Sequence, residues 1–349
     1  MTGSIEKRGK NSYRLVVFKG YDLDGKAIRH QKTFHCKNKS ETRTELAKYI
    51  AQVENGFVVD GTVPTFKEFV EIWKRDYGLK ELAPSTYSKY KGMLESRILP
   101  YFGHFKLNKI RPIDIMQFYN LLDEDTQIVR KKNNNGKKTR KPLSKKTISE
   151  HHRLLHAMLT KAVYWQMIVN NPAERVQPPK APKPKRDCYD EVQTRILIDN
   201  LEKLTGNDIK YKVAVLLDIF IGARLGELAG LEWSDIDLKN GIISINKSSQ
   251  YLSDKGIFTK SPKTESSIRE VAIPDFIVSL LEEYKLWYEE QKSIVGDFWH
   301  DSDRLFVQVD GNPITPSTIS KWFEKFIKQI GLPVITFHGL RHTNSTLLI

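Results

Sequence analysis

The hydrophobic and polar positions fall into three successive patterns along the chain. Near the start, SYRLVVFKGYD and KAIRHQKTFHC read as two strands around a turn at Asp24-Gly25, a strong hairpin signal. A helix is predicted from about Ser40 to Asn55, with Glu41, Thr42 and Thr44 near its start. Gly61-Thr62-Val63-Pro64 reads as a linker, after which the period turns helical. TFKEFVEIWKRDY places Phe66, Phe69, Val70 and Trp73 three and four apart. A second helix opens at Ser85-Thr86 and is predicted to run to Leu99, before Pro100; a third begins near Pro112. RKKNNNGKKTRKP, at 130–142, shows no periodicity and predicts a basic loop. A long fourth helix follows, with Ile148, Leu155, Met158, Leu159 and Val163 on one face and Lys145, Lys146, His152 and Arg153 on others.

NNPAERVQPPKAPKPKR closes this stretch, and its prolines favour an extended path over a helix. Beyond it a helix over IKYKVAVLLDIFI leads into GARLGELAGLEWSDIDL. Strands are predicted at GIISINKS, KGIFTKS and SIREVAIP, then a helix from Asp275 to about Ser293 and a short strand at RLFVQ. A turn at Asp310-Gly311 and a helix from about Thr315 to Ile330 come before the final TFHGLRHTNSTLLI. The expected fold class is multidomain α+β: a small β-sheet-plus-helix domain at 1–60, an all-α bundle at 63–177, a linker at 178–187 and a mixed α/β domain at 188–349.

With 349 residues, 40% hydrophobic and 28% charged, the composition is that of a globular protein with real cores. No apolar run is long enough to span a bilayer, and the N-terminus lacks the apolar stretch of a secretory signal, so no membrane partner is expected. Cys36 and Cys188 stand far apart with no metal-type spacing, which predicts reduced thiols and a cytoplasmic protein. A net charge of +14 points to a polyanionic partner, with nucleic acid the leading candidate. Arg8, Lys10, Arg14, Arg29 and Lys32 crowd the first domain, where a basic sheet suits a major groove. Lys145, Lys146, His152, Arg153, Lys183, Lys185 and Arg186 are further candidates for phosphate contact, the last three on a strap that also serves as a linker.

Three segments of the last domain carry candidate chemistry. In Gly222-Ala223-Arg224-Leu225-Gly226-Glu227, Arg224 and Glu227 stand at i and i+3. A near-buried Arg oriented by an acid is a good anion fork, although such a pair is more often a plain salt bridge. In Ser261-Pro262-Lys263-Thr264-Glu265, Lys263 is expected at a hairpin tip, where it could protonate a leaving oxygen or simply be solvated. In His338-Gly339-Leu340-Arg341-His342, a second guanidinium and an imidazole make a second phosphate grip. His338 and His342 have the i, i+4 spacing of metal ligands, but no third ligand stands near them in the sequence, and no metal or cofactor is expected.

Taken in order, GARLGE, SPKTESSIRE and HGLRH resemble the motifs of the tyrosine recombinases, the lambda-integrase family. The resemblance covers the whole chain and looks closest to integrases of Gram-positive phages and conjugative transposons. It implies an arm-type DNA-binding domain made of a three-stranded sheet plus a helix, a core-binding helical domain and a catalytic domain. It implies that Arg224 and Arg341 bind the scissile phosphate, Lys263 is the general acid, His338 assists proton transfer and Glu227 supports Arg224. It further implies a 3′-phosphotyrosyl intermediate, no cofactor, a monomer when free and a homotetramer on double-stranded attachment-site DNA, with excision or host DNA-bending factors as further partners. The family's tyrosine follows HxxR, and no tyrosine follows Arg341 here, so this polypeptide is expected not to form the covalent link by itself. Tyr251, Tyr284 and Tyr288 precede HGLRH and are in the wrong order. The competing readings are an inactive integrase that only binds its sites and a type IB topoisomerase, against which the arm-like first domain argues.

Overall fold

The computed structural model describes residues 2–21, 24–36, 39–54, 63–124, 129–132, 138–140, 143–182, 188–260 and 268–347. The chain divides into two compact units, Met1–Lys183 and Pro184–Ile349.

The first unit begins with an antiparallel sheet of β1 (Thr2–Gly9), β2 (Ser12–Tyr21) and β3 (Ala27–His35), in that order. Side chains alternate between its faces, so register decides which face each residue serves. Leu15 pairs with Ile5 and Lys32, and Val17 with Gly3 and His30. This face packs under α1 (Lys39–Glu54), burying Leu15 and Val17 against Tyr49 and Val53. Full burial of such side chains stabilises by about 1.5–3 kcal/mol each. On the other face Arg14 pairs with Glu6 and Thr33, and Phe18 with Arg29.

The helical part starts at α2 (Phe66–Trp73), capped by Thr65 and Glu68 in a reciprocal capping box. The helix continues through a π-helical turn, Lys74–Gly78, into α3 (Leu79–Glu81). α4 (Pro84–Met93) likewise passes through a π-helical turn, Leu94–Ile98, into α5 (Leu99–Phe102). The expected stop before Pro100 is therefore corrected: the helix runs through it. The wider turn has already interrupted the regular ladder, so a residue without an N–H costs little at the second position of α5.

α6 (Pro112–Glu124) and α7 (Lys145–Tyr164) complete the bundle around Phe66, Phe69, Trp73, Phe102, Phe118, Leu155 and Met158. The expectation of a structureless loop at 130–142 is also corrected. β4 (Val129–Lys132) and β5 (Lys138–Arg140) pair antiparallel. Such pairing runs through backbone hydrogen bonds, which leave no mark on hydrophobic periodicity.

In the second unit α8 (Glu191–Glu202) opens on a capping box of Asp190 and Gln193, a helix absent from the expectations above. α9 (Ile209–Ile221) is apolar nearly all round and lies buried at the centre of the core. The short α10 (Leu225–Leu228) follows. β6 (Ile236–Asp237), β7 (Ile242–Ile245) and β10 (Arg269–Ala272) form one sheet of order β10-β7-β6. β8 (Ser248–Leu252) and β9 (Gly256–Lys260) form a separate hairpin.

β8 had not been expected, because SSQYL has little apolar signal; it pairs with β9 around a tip at Ser253–Lys255. The expected placement of Lys263 at a hairpin tip falls outside the described residues. α11 (Asp275–Val295), α12 (Pro316–Gln329) and α13 (Phe337–Leu347) complete the unit. RLFVQ forms no strand. Leu305, Phe306 and Val307 are buried as their apolar run suggests, but the backbone makes only the isolated bridges Glu232↔Arg304 and Val307↔Pro313.

Candidate active site

The site is organised by the way α9 ends. Ile221 closes the helix, and Gly222 turns the chain with φ +54, donating its N–H to Asp218 O at 2.9 Å. The chain returns to extended geometry at Arg224, which caps α10. Glu227 stands one turn on; its carboxylate accepts from Arg224 N at 3.0 Å and from the Arg224 guanidinium at 2.6 Å. It also accepts from Arg269 of β10 at 3.1 Å. Burial pushes the Glu227 carboxyl up, but the hydrogen bonds from Arg224 and the Arg269 guanidinium outweigh it and hold the group below its ordinary value.

The near-buried arginine expected from the sequence is corrected. The Arg224 side chain is 56% exposed, and its partner Glu227 is the buried member at 5%. An arginine at the cap projects away from the core, and a carboxylate three residues later turns into it.

α13 packs against α9 and brings the third segment to the same place. Leu340 is fully buried and fixes which side of α13 faces the core. The Arg341 guanidinium donates to Gly222 O, the carbonyl two residues before Arg224. His338 is exposed and meets His342 edge to face at 4.9 Å between ring centroids. Partial desolvation holds the His338 imidazole below its ordinary value, and the nearby cationic groups of His342, Arg341 and Arg224 add to the effect. Both guanidiniums thus act electrostatically on one imidazole, although more than a hundred residues separate them in sequence.

Two further groups border this cluster. Asp218 is wholly buried under the turn. Burial pushes its carboxyl well above the ordinary carboxylate value, against the pull of the Ala223 N–H, Arg341 and Arg269. Neither carboxyl oxygen has a partner in good hydrogen-bond geometry. Asn344 of α13 donates to Ile219 O and Phe220 O. Sequence reasoning assigned no role to Asp218, Arg269 or Asn344. Only Asp218 left a signal, as a lone acid inside the apolar run VAVLLDIFI.

Most of the remaining candidates belong to the first unit. Arg8 is exposed and bonded to Glu6 at 3.1 Å; Lys10, Arg29 and Arg153 are exposed, as are Lys145 and Lys146 at the start of α7. Arg14 lies on the sheet face away from α1. Lys32 lies on the helix-covered face, held by Glu45 at 2.8 Å beside the Tyr49 ring. His152 is half-buried, its Nδ1 2.6 Å from the Tyr119 hydroxyl. Lys183, Lys185, Arg186 and Lys263 lie outside the described residues. Tyr284 and Tyr288 are core residues, the former donating to Leu305 O, whereas Tyr251 is exposed. Cys36 is buried against Thr42, and both cysteines are free of disulfides. Among the described residues, no helix is long and apolar enough to cross a membrane.

Two guanidiniums, one imidazole and a buried orienting carboxylate stand together at one helix end, an arrangement with the chemistry to hold an oxyanion of phosphate type. Comparison with known proteins narrows this to a family. The phage integrase N-terminal SAM-like domain matches residues 65–122, and the phage integrase family matches 189–349. A XerC-like tyrosine recombinase of Caldanaerobacter subterraneus subsp. tengcongensis is 29% identical over 98% of this chain and 86% of that protein. The ICEBs1 integrase of Bacillus subtilis is 24% identical over 99% of this chain and 88% of its own. The fold is similar to the Tn1549 transposon integrase solved with transposon right-end DNA, with a TM-score of 0.64, 19% identity and coverage of 82% and 86% of the two chains. It is also similar to lambda integrase solved as a tetramer on a Holliday junction, with a TM-score of 0.54, 16% identity and coverage of 98% and 90%. The chain belongs to the tyrosine recombinases of the lambda-integrase family.

Proposed function

We propose that this chain serves site-specific integration and excision of mobile DNA, acting on double-stranded attachment sites as a homotetramer assembled from free monomers. The reading is supported most by the convergence of Arg224, Arg341 and His338 at the end of α9, with buried Glu227 holding Arg224. The guanidiniums would take the non-bridging oxygens of one phosphodiester and stabilise the charge that grows as phosphorus becomes five-coordinate. His338 would hydrogen-bond the same phosphate. Lys263 would give its proton to the departing 5′ oxygen while a tyrosine oxygen forms the new bond to phosphorus at the 3′ end. Residues 1–60 would bind arm sites through the sheet face bearing Arg14 and Arg29, residues 63–177 would bind core DNA, and 178–187 would connect them to the catalytic domain at 188–349. Excision or host DNA-bending factors fit this scheme as further partners.

Covalent trapping on a nicked suicide substrate tests the phosphate grip directly. Arg224→Ala or Arg341→Ala should lower cleavage by about 10²–10³, as loss of a transition-state donor does, with site binding far less affected, and cleavage unchanged in both would overturn the assignment.

A further inference from the structure

The end of α9 carries carbonyls that no donor within the helix can reach. Two of them, Ile219 O and Phe220 O, accept from Nδ2 of Asn344 at 2.6 and 3.0 Å. A third, Gly222 O, accepts from the Arg341 guanidinium. Asn344 and Arg341 stand three residues apart on α13, so one face of that helix caps the end of the other. The Asn344 amide also fills the space beside the turn, where a Cβ on Gly222 would lie 2.7 Å from its Oδ1.

We propose that Asn344 is a positioning residue of the phosphate site: by capping the last carbonyls of α9 it locks α13 against the turn, and so aims Arg341 at the phosphate that Arg224 also holds. The inference rests on the reading of these two arginines as a phosphate grip. Arg341 commits one edge of its guanidinium to Gly222 O, which leaves the direction of its remaining donors dependent on where α13 sits. The two Asn344 bonds fix the height and rotation of that helix just beyond Arg341. A misplacement of about 1 Å at such a site costs on the order of 10²-fold in rate. An amide suits the position because it donates twice without charge, next to a turn already flanked by Arg341 and the buried Asp218.

The test uses the whole chain with Asn344→Ala, which removes the donors, and Asn344→Asp, which keeps the shape but sets a carboxylate against two carbonyls. Amide hydrogen exchange needs no ligand. Both variants should speed exchange across Gly222–Leu225 while the centre of α9 keeps its protection; unchanged exchange in both would overturn the proposal. Orthovanadate, a mimic of five-coordinate phosphate, supplies the second readout through vanadium NMR. Arg341→Ala should abolish its binding, and each Asn344 variant should weaken it on the order of tenfold. Wild-type affinity in the Asn344 variants, with Arg341→Ala defective, sinks the positioning role. Thr343→Val is the control: Thr343 bonds Tyr189 N and Gly339 O, away from the turn. It should lower the melting temperature and leave vanadate affinity alone; an equal loss there would mean general loosening and would also count against Asn344. Vanadate binding indifferent to Arg341→Ala would fell the phosphate reading instead, with the exchange measurement still deciding the cap.

Discussion

At the scale of single residues, the site depends on a few backbone and burial conditions that can be broken one at a time. Gly222 holds a left-handed conformation, and a methyl group there would meet Asn344 Oδ1 at 2.7 Å. The conformation alone costs a non-glycine residue roughly 1–2 kcal/mol. Gly222→Ala is therefore expected to destabilise the second unit by at least that amount in urea unfolding, with the contact adding to it. Asp218 gives a prediction of opposite sign. Its folded pKa is raised, so the folded state holds its proton more tightly than the unfolded one. The stabilisation is complete below the unfolded value of about 3.9 and drains away as pH rises towards the folded value. Asp218→Asn cannot ionise, so its melting temperature should gain on wild type steadily as pH rises through that window. A constant difference across the range would show that Asp218 is not the group titrating. Arg224, Glu227 and Arg341 were legible in the sequence because motif order marks them. Asn344 and Arg269 were not, because their partners lie 125 and 42 residues away.

At the scale of elements, two pieces of the first unit make separable predictions. On α7, His151 is almost fully buried and His152 half-buried against Tyr119. Burial holds both imidazoles below their ordinary value of 6.5, opposed at His151 by its hydrogen bond with Thr147 O and reinforced at His152 by His156 and Arg153. As pH falls, the unfolded chain takes up protons before the folded one does. Their contribution to stability is thus complete above 6.5 and is lost as pH drops through the folded values. A melting temperature flat between pH 7.5 and 5.5 would contradict this. The sheet divides its cations by face. Arg14→Ala and Arg29→Ala should weaken DNA binding and each reduce the slope of log K against log salt by about 0.9, if each touches one phosphate. Lys32→Ala should leave that slope alone and cost at most about 1 kcal/mol of stability, because its partner is Glu45. Sequence reading grouped Lys32 with the others since charge carries no record of face; cross-strand register separates them.

At the scale of the whole molecule, a net charge of +14 makes association with DNA electrostatic at long range, so affinity should fall steeply as salt rises. Filter binding over a salt series would show it, and a shallow slope would mean that few phosphates are neutralised. The sequence by itself determined the fold class, the order of sheet, bundle and mixed domain, and the two segments, GARLGE and HGLRH, that the fold brings together. Those properties are written in local period, turn residues and motif order, which survive without coordinates. Tertiary structure alone decided that Arg224 is exposed while Glu227 is buried, that helices run through Pro100 and that β4 and β5 pair. It also decided that α13 caps α9 through Asn344 and Arg341. These features come from register, backbone hydrogen bonding and contacts between distant segments, and no pattern along one stretch of chain encodes which remote carbonyl a side chain will meet.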